Sequence, residues 1–285
     1  MKNTAVLLLS TPMRLARKGA VAAVCEFLIA HNGGVLHSDD HLDSGRDLLL
    51  SRLEWDRDGF DIPIVDFDRH FEQLAERFQI NYHLALTDYR PKIAILVSDY
   101  THCLADLLYR HSTGELVCDI VMILSNHPTA KPLADFHRVP FHLLTKPADK
   151  RVSEHEMLAL LGPDVDLIVL ARYMQILGPD FVAQYLLRMI NIHHSFLPAF
   201  IGAKPYHQAF ERGVKLIGAT SHYVTAALDE GPIIEQDVVR VSHRDSIEDM
   251  LNKGRDLEKV VLSRAVRWHL ENRVLVYQNK TVVFL

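Results

Sequence analysis

Two rhythms of apolar and polar residues divide the chain. Thr4–Ser10 is an apolar run of strand length, and Gly19–Ala30 carries apolar residues at helical spacing. Gly33-Gly34 breaks that helix, Val35–Leu42 reads as extended, and Asp43-Ser44-Gly45 is a turn signal. Leu48, Leu50 and Leu53 mark a second strand, which makes a hairpin with the first. In Val65–Phe78 the residues Phe67, Phe71, Leu74 and Phe78 form the stripe of an amphipathic helix. Asn81–Thr87 closes the unit as an alternating strand. The order βαββαβ predicts a ferredoxin-like unit over residues 1–87.

Residues 88–91 are polar and include Pro91, which cannot donate to a sheet ladder, so they read as a linker. Residues 92–285 then follow a different rhythm. Ile93–Val97, Val117–Leu124, Phe141–Leu144, Leu167–Leu170 and Met189–Ile192 are short apolar runs, separated by segments long enough for helices or crossovers. That alternation predicts an α/β domain, with a mostly parallel sheet covered on both faces. Ile217–Val224 and Ile233–Val241 have no helix between them and read as an antiparallel extension. Ile247–Leu270 is a long helix, and Val274–Tyr277 and Thr281–Leu285 are two short strands. In such a sheet ligands bind beyond the carboxyl ends of the strands. Ser98–His102, Ala171–Gln175 and His193–Pro198 therefore become the segments to search.

Composition narrows the classes. Net charge is −5 with no basic block, which argues against a nucleic-acid partner. Cys25, Cys103 and Cys118 have no metal-ligand spacing and read as reduced thiols of a cytoplasmic protein. The apolar run Ala5–Leu9 is too short for a signal-peptide core, and no stretch reaches membrane-spanning length.

The densest polar cluster is Asn191-Ile192-His193-His194-Ser195. In a strand Asn191 and His193 share a face, so an amide donor and an imidazole converge as acyl chemistry requires. The same residues are equally readable as a turn cap with backbone-satisfied histidines. Asp229, in Leu228-Asp229-Glu230-Gly231-Pro232, is either an ordinary turn aspartate or the carboxylate that charges His193. Pro198–His207, with prolines and Gly202, is a structured loop placed to wall a pocket, and Lys204 in it could meet an anion. No dinucleotide, Walker, GxSxG or HExxH motif is present, and Ser195 has no nucleophile elbow. His193, His194, His207, His222 and Asp229 lack a familiar zinc spacing, so no metal is expected.

Asn191–Gly202, Asn-Ile-His-His-Ser-Phe-Leu-Pro-Ala-Phe-Ile-Gly, resembles the Asn-x-His-x-Ser-x-Leu-Pro-x-x-x-Gly signature of folate-dependent formyltransferases. With Tyr206-His207, Gly218-Ala219-Thr220 and Leu228–Ile234, the run is similar to the hydrolytic branch of that family, the formyltetrahydrofolate deformylases. The resemblance covers Lys92 to Leu285 and, more loosely, the N-terminal part. It implies a Rossmann-like parallel sheet with Asn191, His193 and Asp229 as catalytic residues. It implies a folate pocket lined by Arg172, Tyr173, Met174, Gln175, Ile176 and Leu177, and by Val224, Thr225 and Leu228. Ser195, Gly202 and Lys204 join that substrate-binding set. The implied reaction is hydrolysis of 10-formyltetrahydrofolate in one-carbon metabolism, supplying formate for purine synthesis without a further cofactor. Residues 1–87 resemble an ACT domain, which implies a homo-oligomer and a possible amino-acid effector. Thr11–Gly19 lacks the Pro-Asp-x-x-Gly that such a loop usually carries, which favours assembly over sensing.

A transferase relative that used a phosphorylated amine would bind the phosphate with a glycine-rich turn at a helix N-terminus. Val97–Cys103 has no glycine, and Asp99 would repel a phosphate, so water becomes the expected acceptor. Formyl transfer to an amine and a non-catalytic amino-acid sensor are the alternatives.

Overall fold

The computed structural model describes residues 3–144, 150–199 and 205–285. The chain splits into two compact units, Met1–Tyr89 with Glu271–Tyr277 and Thr281–Leu285, and Arg90–Leu270 with Gln278–Lys280.

The first unit runs β1 (Thr4–Pro12), α1 (Met13–Ala16), α2 (Ala20–Ala30), β2 (Gly34–Asp43), β3 (Leu48–Asp56), α3 (Phe67–Phe78) and β4 (Asn81–Leu86). Its antiparallel sheet has the order β2-β3-β1-β4, the ferredoxin-like arrangement. β1 is buried on both faces, which is why it reads as a continuous apolar run rather than an alternating one. Ala5, Leu7 and Leu9 pack with Val24, Leu28, Phe67 and Phe71 of the helices. Val6 and Leu8 of the opposite face pack with Leu50, Leu275 and Phe284.

That second face changes the expected boundary. The C-terminal hairpin, Val274–Tyr277 with Lys280–Val283, was expected inside a domain running from 92 to 285. Leu275 and Phe284 instead cover β1 of the first unit, and Arg52 Nε donates to the Asn272 carbonyl at 3.0 Å. A sheet with two apolar faces needs two covers, and local sequence does not say which segment supplies the second. The short helix α1 was not foreseen either. Met13 and Leu15 are buried on it.

The second unit runs β5 (Lys92–Val97), α4 (His102–Ser112), β6 (Asp119–Ser125), α5 (Lys131–Phe136), β7 (Phe141–Leu143), α6 (Lys150–Leu161) and β8 (Leu167–Leu170). It continues through α7 (Pro179–Gln184), β9 (Met189–His193), α8 (Pro205–Glu211), β10 (Leu216–Tyr223), β11 (Ile233–Arg240) and α9 (Ile247–Leu270). The sheet order is β11-β10-β9-β8-β5-β6-β7. β5 to β9 pair in parallel, and β10 is antiparallel to both β9 and β11. From β5 the chain winds outward through β6 and β7, then returns to β8 on the other side. The strand order therefore reverses between β5 and β8, and the crevice beyond their carboxyl ends is the switch point where such sheets bind ligands. Among the described residues no helix is long and apolar enough to cross a membrane.

Candidate active site

Asn191 and His193 occupy β9 with one residue between them, so both side chains project from the same face of the sheet. β10 lies antiparallel beside β9 and sets Thr220 opposite His193 and His222 opposite Asn191. Asn191 Nδ2 lies 3.3 Å from His222 Nε2. His222 Nδ1 donates to the Tyr223 carbonyl at 2.9 Å, which leaves Nε2 facing Asn191 and the Asp229 carboxylate, 3.6 Å away.

Asp229 reaches the site because the β10–β11 loop folds back on itself. Its own φ is +57°, a left-handed conformation that aspartate tolerates better than bulkier residues. At Gly231 a Cβ would meet the Tyr223 carbonyl oxygen at 1.8 Å, so only glycine lets the loop pass that close. Tyr223 N donates to the Pro232 carbonyl at 2.9 Å and closes the turn. Asp229 Oδ2 thereby sits 3.2 Å from His193 Nδ1. Hydrogen bonding to His193, then to His222, outweighs burial and holds the Asp229 carboxyl well below the usual carboxylate range. It is ionised at neutral pH. His193 is buried, and among the described residues its Nε2 has no hydrogen-bond partner. An imidazole anchored by a carboxylate on one nitrogen and unpartnered on the other is prepared to donate to a ligand.

The turn after β9 is held internally. Ser195 Oγ donates to the Ala199 carbonyl at 2.9 Å, and Thr220 Oγ1 donates to the Ser195 carbonyl at 2.8 Å. Leu197 N donates to Thr220 Oγ1 at 3.0 Å. The Ser195 hydroxyl, expected at the substrate, is thus committed to its own loop. Gly202 and Lys204 lie outside the described residues.

The two expected pocket segments meet at the core, where Leu177 and Val224 pack on one apolar cluster. Outside it, Met174, Ile176 and Leu228 are 51%, 61% and 61% exposed, which leaves apolar surface open in both segments. Gln175 is exposed as well. Met174 N donates to Ser98 Oγ at 3.0 Å, and Thr225 Oγ1 donates to the Ala227 carbonyl at 3.1 Å. Tyr173 and Arg172 differ from the expectation. Tyr173 is buried with its hydroxyl 3.7 Å from Met157 Sδ. Arg172 turns its guanidinium inward, its Nε 3.4 Å from Glu258 Oε2.

A formyl transferase family model matches residues 91–266. A formyltetrahydrofolate deformylase of Synechocystis is 50% identical over 283 residues, 99% of this chain and 98% of that one. The Bacillus subtilis formyltetrahydrofolate deformylase is 49% identical, over 98% of this chain and 93% of its own. The chain belongs to the formyltetrahydrofolate deformylase family. The crystal structure of a formyltetrahydrofolate deformylase from Pseudomonas syringae is similar with a TM-score of 0.95 at 47% identity, covering 100% of this chain and 95% of that one. A glycinamide ribonucleotide transformylase from Symbiobacterium toebii is similar over 70% of this chain and 97% of its own, with a TM-score of 0.65 at 28% identity.

Two features of this deformylase-family site were not legible in the sequence. His222 had appeared only as one histidine of a poor zinc set, and the β9–β10 register turns it into a partner of Asn191 and Asp229. The second is a buried polar cluster near β9. Glu258 on α9 accepts from His102 Nε2 at 2.7 Å and from the Tyr206 hydroxyl at 2.9 Å, beside Arg172. His102, Cys103 and Glu258 bring possible ligand atoms within 4.8 Å of one another. Burial pushes the Cys103 thiol up and keeps it protonated, and Arg172 already supplies Glu258 with a positive charge, so the set is poorly suited to a cation. His194, between this cluster and His193, is driven down to about 4 by burial and by Arg172, and is neutral.

Proposed function

We propose that the chain hydrolyses 10-formyltetrahydrofolate to tetrahydrofolate and formate, with no cofactor beyond the folate. The observation that carries this reading is the His193 imidazole, fixed at Nδ1 by an ionised Asp229 and unpartnered at its buried Nε2. The folate lies along Met174–Leu177 and Val224–Leu228 and brings its formyl group to the Asn191–His193 face. Asn191 Nδ2 exchanges its contact with His222 for the developing oxyanion, and His193 Nε2 donates to the same centre. Water attacks the formyl carbon and forms the new C–O bond. Asp229, directly or through a water, takes up the proton of the attacking water, and a proton is passed to N10 as the C–N10 bond breaks. Asp229 also fixes the orientation of His193 through its 3.2 Å contact with Nδ1.

Water as acceptor is supported at the end of β5. Asp99 there lies 2.9 Å from His127 Nδ1 and accepts from Thr129 Oγ1 at 3.1 Å, which leaves a carboxylate where an acceptor phosphate would need donors. The activity is placed in the cytoplasm, where free thiols such as Cys103 and Cys118 stay reduced. The ferredoxin-like unit is read as a homo-oligomer assembly module, because edge strand β2 leaves Leu36 and Leu42 each 57% exposed. Met13 and Leu15 of α1 are buried, and the Thr11–Gly19 loop that carries them lacks the Pro-Asp-x-x-Gly pattern, which supports assembly over effector binding.

The test is to incubate the purified chain with 10-formyltetrahydrofolate alone. Formate and tetrahydrofolate should accumulate in equal amounts. Formate-free turnover that starts only when an amine acceptor is added overturns hydrolysis in favour of transfer.

A further inference from the structure

Asn191 carries an amide with two unlike ends, and its nitrogen is the end that can stabilise an oxyanion. The amide oxygen turned to the same place would repel the charge that forms there. β9 does not choose between them, because the two ends have nearly the same shape and exchange by rotation about the last side-chain bond. The choice needs a neighbour. Among the described residues the Asn191 side chain has one hydrogen-bond partner, His222 Nε2 at 3.3 Å.

His222 stands opposite Asn191 in the β9–β10 pairing and is 2% exposed, so bulk water does not compete for its ring. Its Nδ1 donates to the Tyr223 carbonyl at 2.9 Å, an acceptor that requires the proton on that nitrogen. Tyr223 is held in turn, its N donating to the Pro232 carbonyl at 2.9 Å and its hydroxyl 2.7 Å from His269 Nδ1. With Nδ1 protonated, the other nitrogen of a neutral ring carries a lone pair and can only accept. Asn191 Nδ2 is the donor it meets. Asp229 Oδ1 stands 3.6 Å from the same Nε2, but that carboxylate makes its closer contact, 3.2 Å, with His193, so its pull on a second His222 proton is the weaker one. The bonds therefore run in one direction, from the Asn191 amide through the imidazole to the Tyr223 carbonyl.

We propose that His222 is a positioning residue: its neutral ring selects the nitrogen-forward orientation of the Asn191 amide, so that the amide exchanges this contact for the oxyanion without turning over. It acts through Asn191, and the reacting carbon is left to Asn191 and His193. The proposal rests on the hydrolytic reading above for the identity of that oxyanion. Without the ring, both amide orientations become open, and the Asp229 carboxylate competes for the N–H groups that the formyl oxygen needs.

The test compares two substitutions in the full chain. H222N keeps an amide N–H near the place from which Nδ1 donates and leaves nothing at Nε2, whereas H222Q sets an amide oxygen at the Nε2 position. Formate release from 10-formyltetrahydrofolate is resolved into kcat and KM. H222N should lower kcat by at least about tenfold, short of the about 10²–10³ lost with a whole oxyanion donor, and leave KM within about twofold. H222Q should recover most of that loss. In an N191A background H222N should cost about twofold or less, because the residue through which His222 acts is gone. Near-normal kcat in H222N, an H222Q no better than H222N, or a full-sized cost in the N191A background each overturns the proposal. If H222N does not fold, H222M, which fills the ring's space without a strong acceptor, takes its place in every comparison. A further readout needs no turnover. In nitrogen NMR at neutral pH, the ring signal that the substitution removes should be that of an imidazole protonated at Nδ1 alone. Protonation at Nε2, with or without Nδ1, overturns the proposal whether or not formate is released. Failure of the hydrolytic reading looks different, with no formate from the unmodified chain and that ring signal unchanged.

Discussion

His194 gives the stability of the second unit a pH dependence that can be worked out beforehand. Its ring sits between His193 and Tyr206, with centroid separations of 5.2 and 6.2 Å. Burial and the nearby Arg172 lower it from 6.5 to about 4. As pH falls below 6.5 the unfolded chain takes a proton at this residue and the folded chain does not, so stability is lost on the way down. The loss continues until about pH 4, where the folded state protonates too. At about 1.4 kcal/mol per pH unit the full loss is about 3 kcal/mol, and about 2.5 kcal/mol of it has accrued by about pH 4.5. His194→Gln removes the titration and keeps a polar side chain of similar length. Urea unfolding of both chains, at neutral pH and in steps down to about 4.5, gives the two slopes. His83 of the first unit, also lowered by burial, contributes equally to both and cancels in the difference. The stability gap between the chains should close by about 2.5 kcal/mol over that range. Parallel pH profiles would show that His194 is not held neutral by its surroundings, and the picture of the adjoining cluster would fail with it.

Further outcomes follow from the same geometry. Asp229→Asn should bind folate with little change in KM while kcat falls by about 10²–10³, the scale of one lost electrostatic contact to the transition state; near-normal turnover would remove Asp229 from the mechanism. Asn191→Ala should lower kcat on the same scale, read by formate release under saturating substrate. Gly231→Ala must push the loop away from the Tyr223 carbonyl, so it should cost most of the activity while the ferredoxin-like unit keeps its own melting transition. Trp55 is fully buried and its Nε1 lacks a partner among the described residues. Trp55→Phe should therefore change stability by no more than about 1 kcal/mol, the lost packing being offset by removal of an unsatisfied donor. A much larger loss in chemical denaturation would reveal a partner for that N–H.

The sequence by itself determined the two folding rhythms, because period-two and period-3.6 patterns are properties of neighbouring residues. It also determined that Asn191 and His193 share a face, since both stand on one strand. The identity of Asp229 as their partner was visible only as a possibility. A turn aspartate and one that pairs with a distant histidine look alike until β10 lies against β9 and the tight passage at Gly231 swings the carboxylate to within 3.2 Å of His193. Strand register, which the hydrophobic pattern does not number, alone makes His222 the neighbour of Asn191. Glu258 sits in a helix of mixed polarity where nothing local marks it, and its partners His102, Arg172 and Tyr206 come from three other segments. The apolar underside of β1 likewise required a cover, and only tertiary packing showed that the last hairpin supplies it. Short-range chemistry selects the elements; the contacts among distant ones are fixed by burying surfaces and pairing charges together, a choice no single segment encodes.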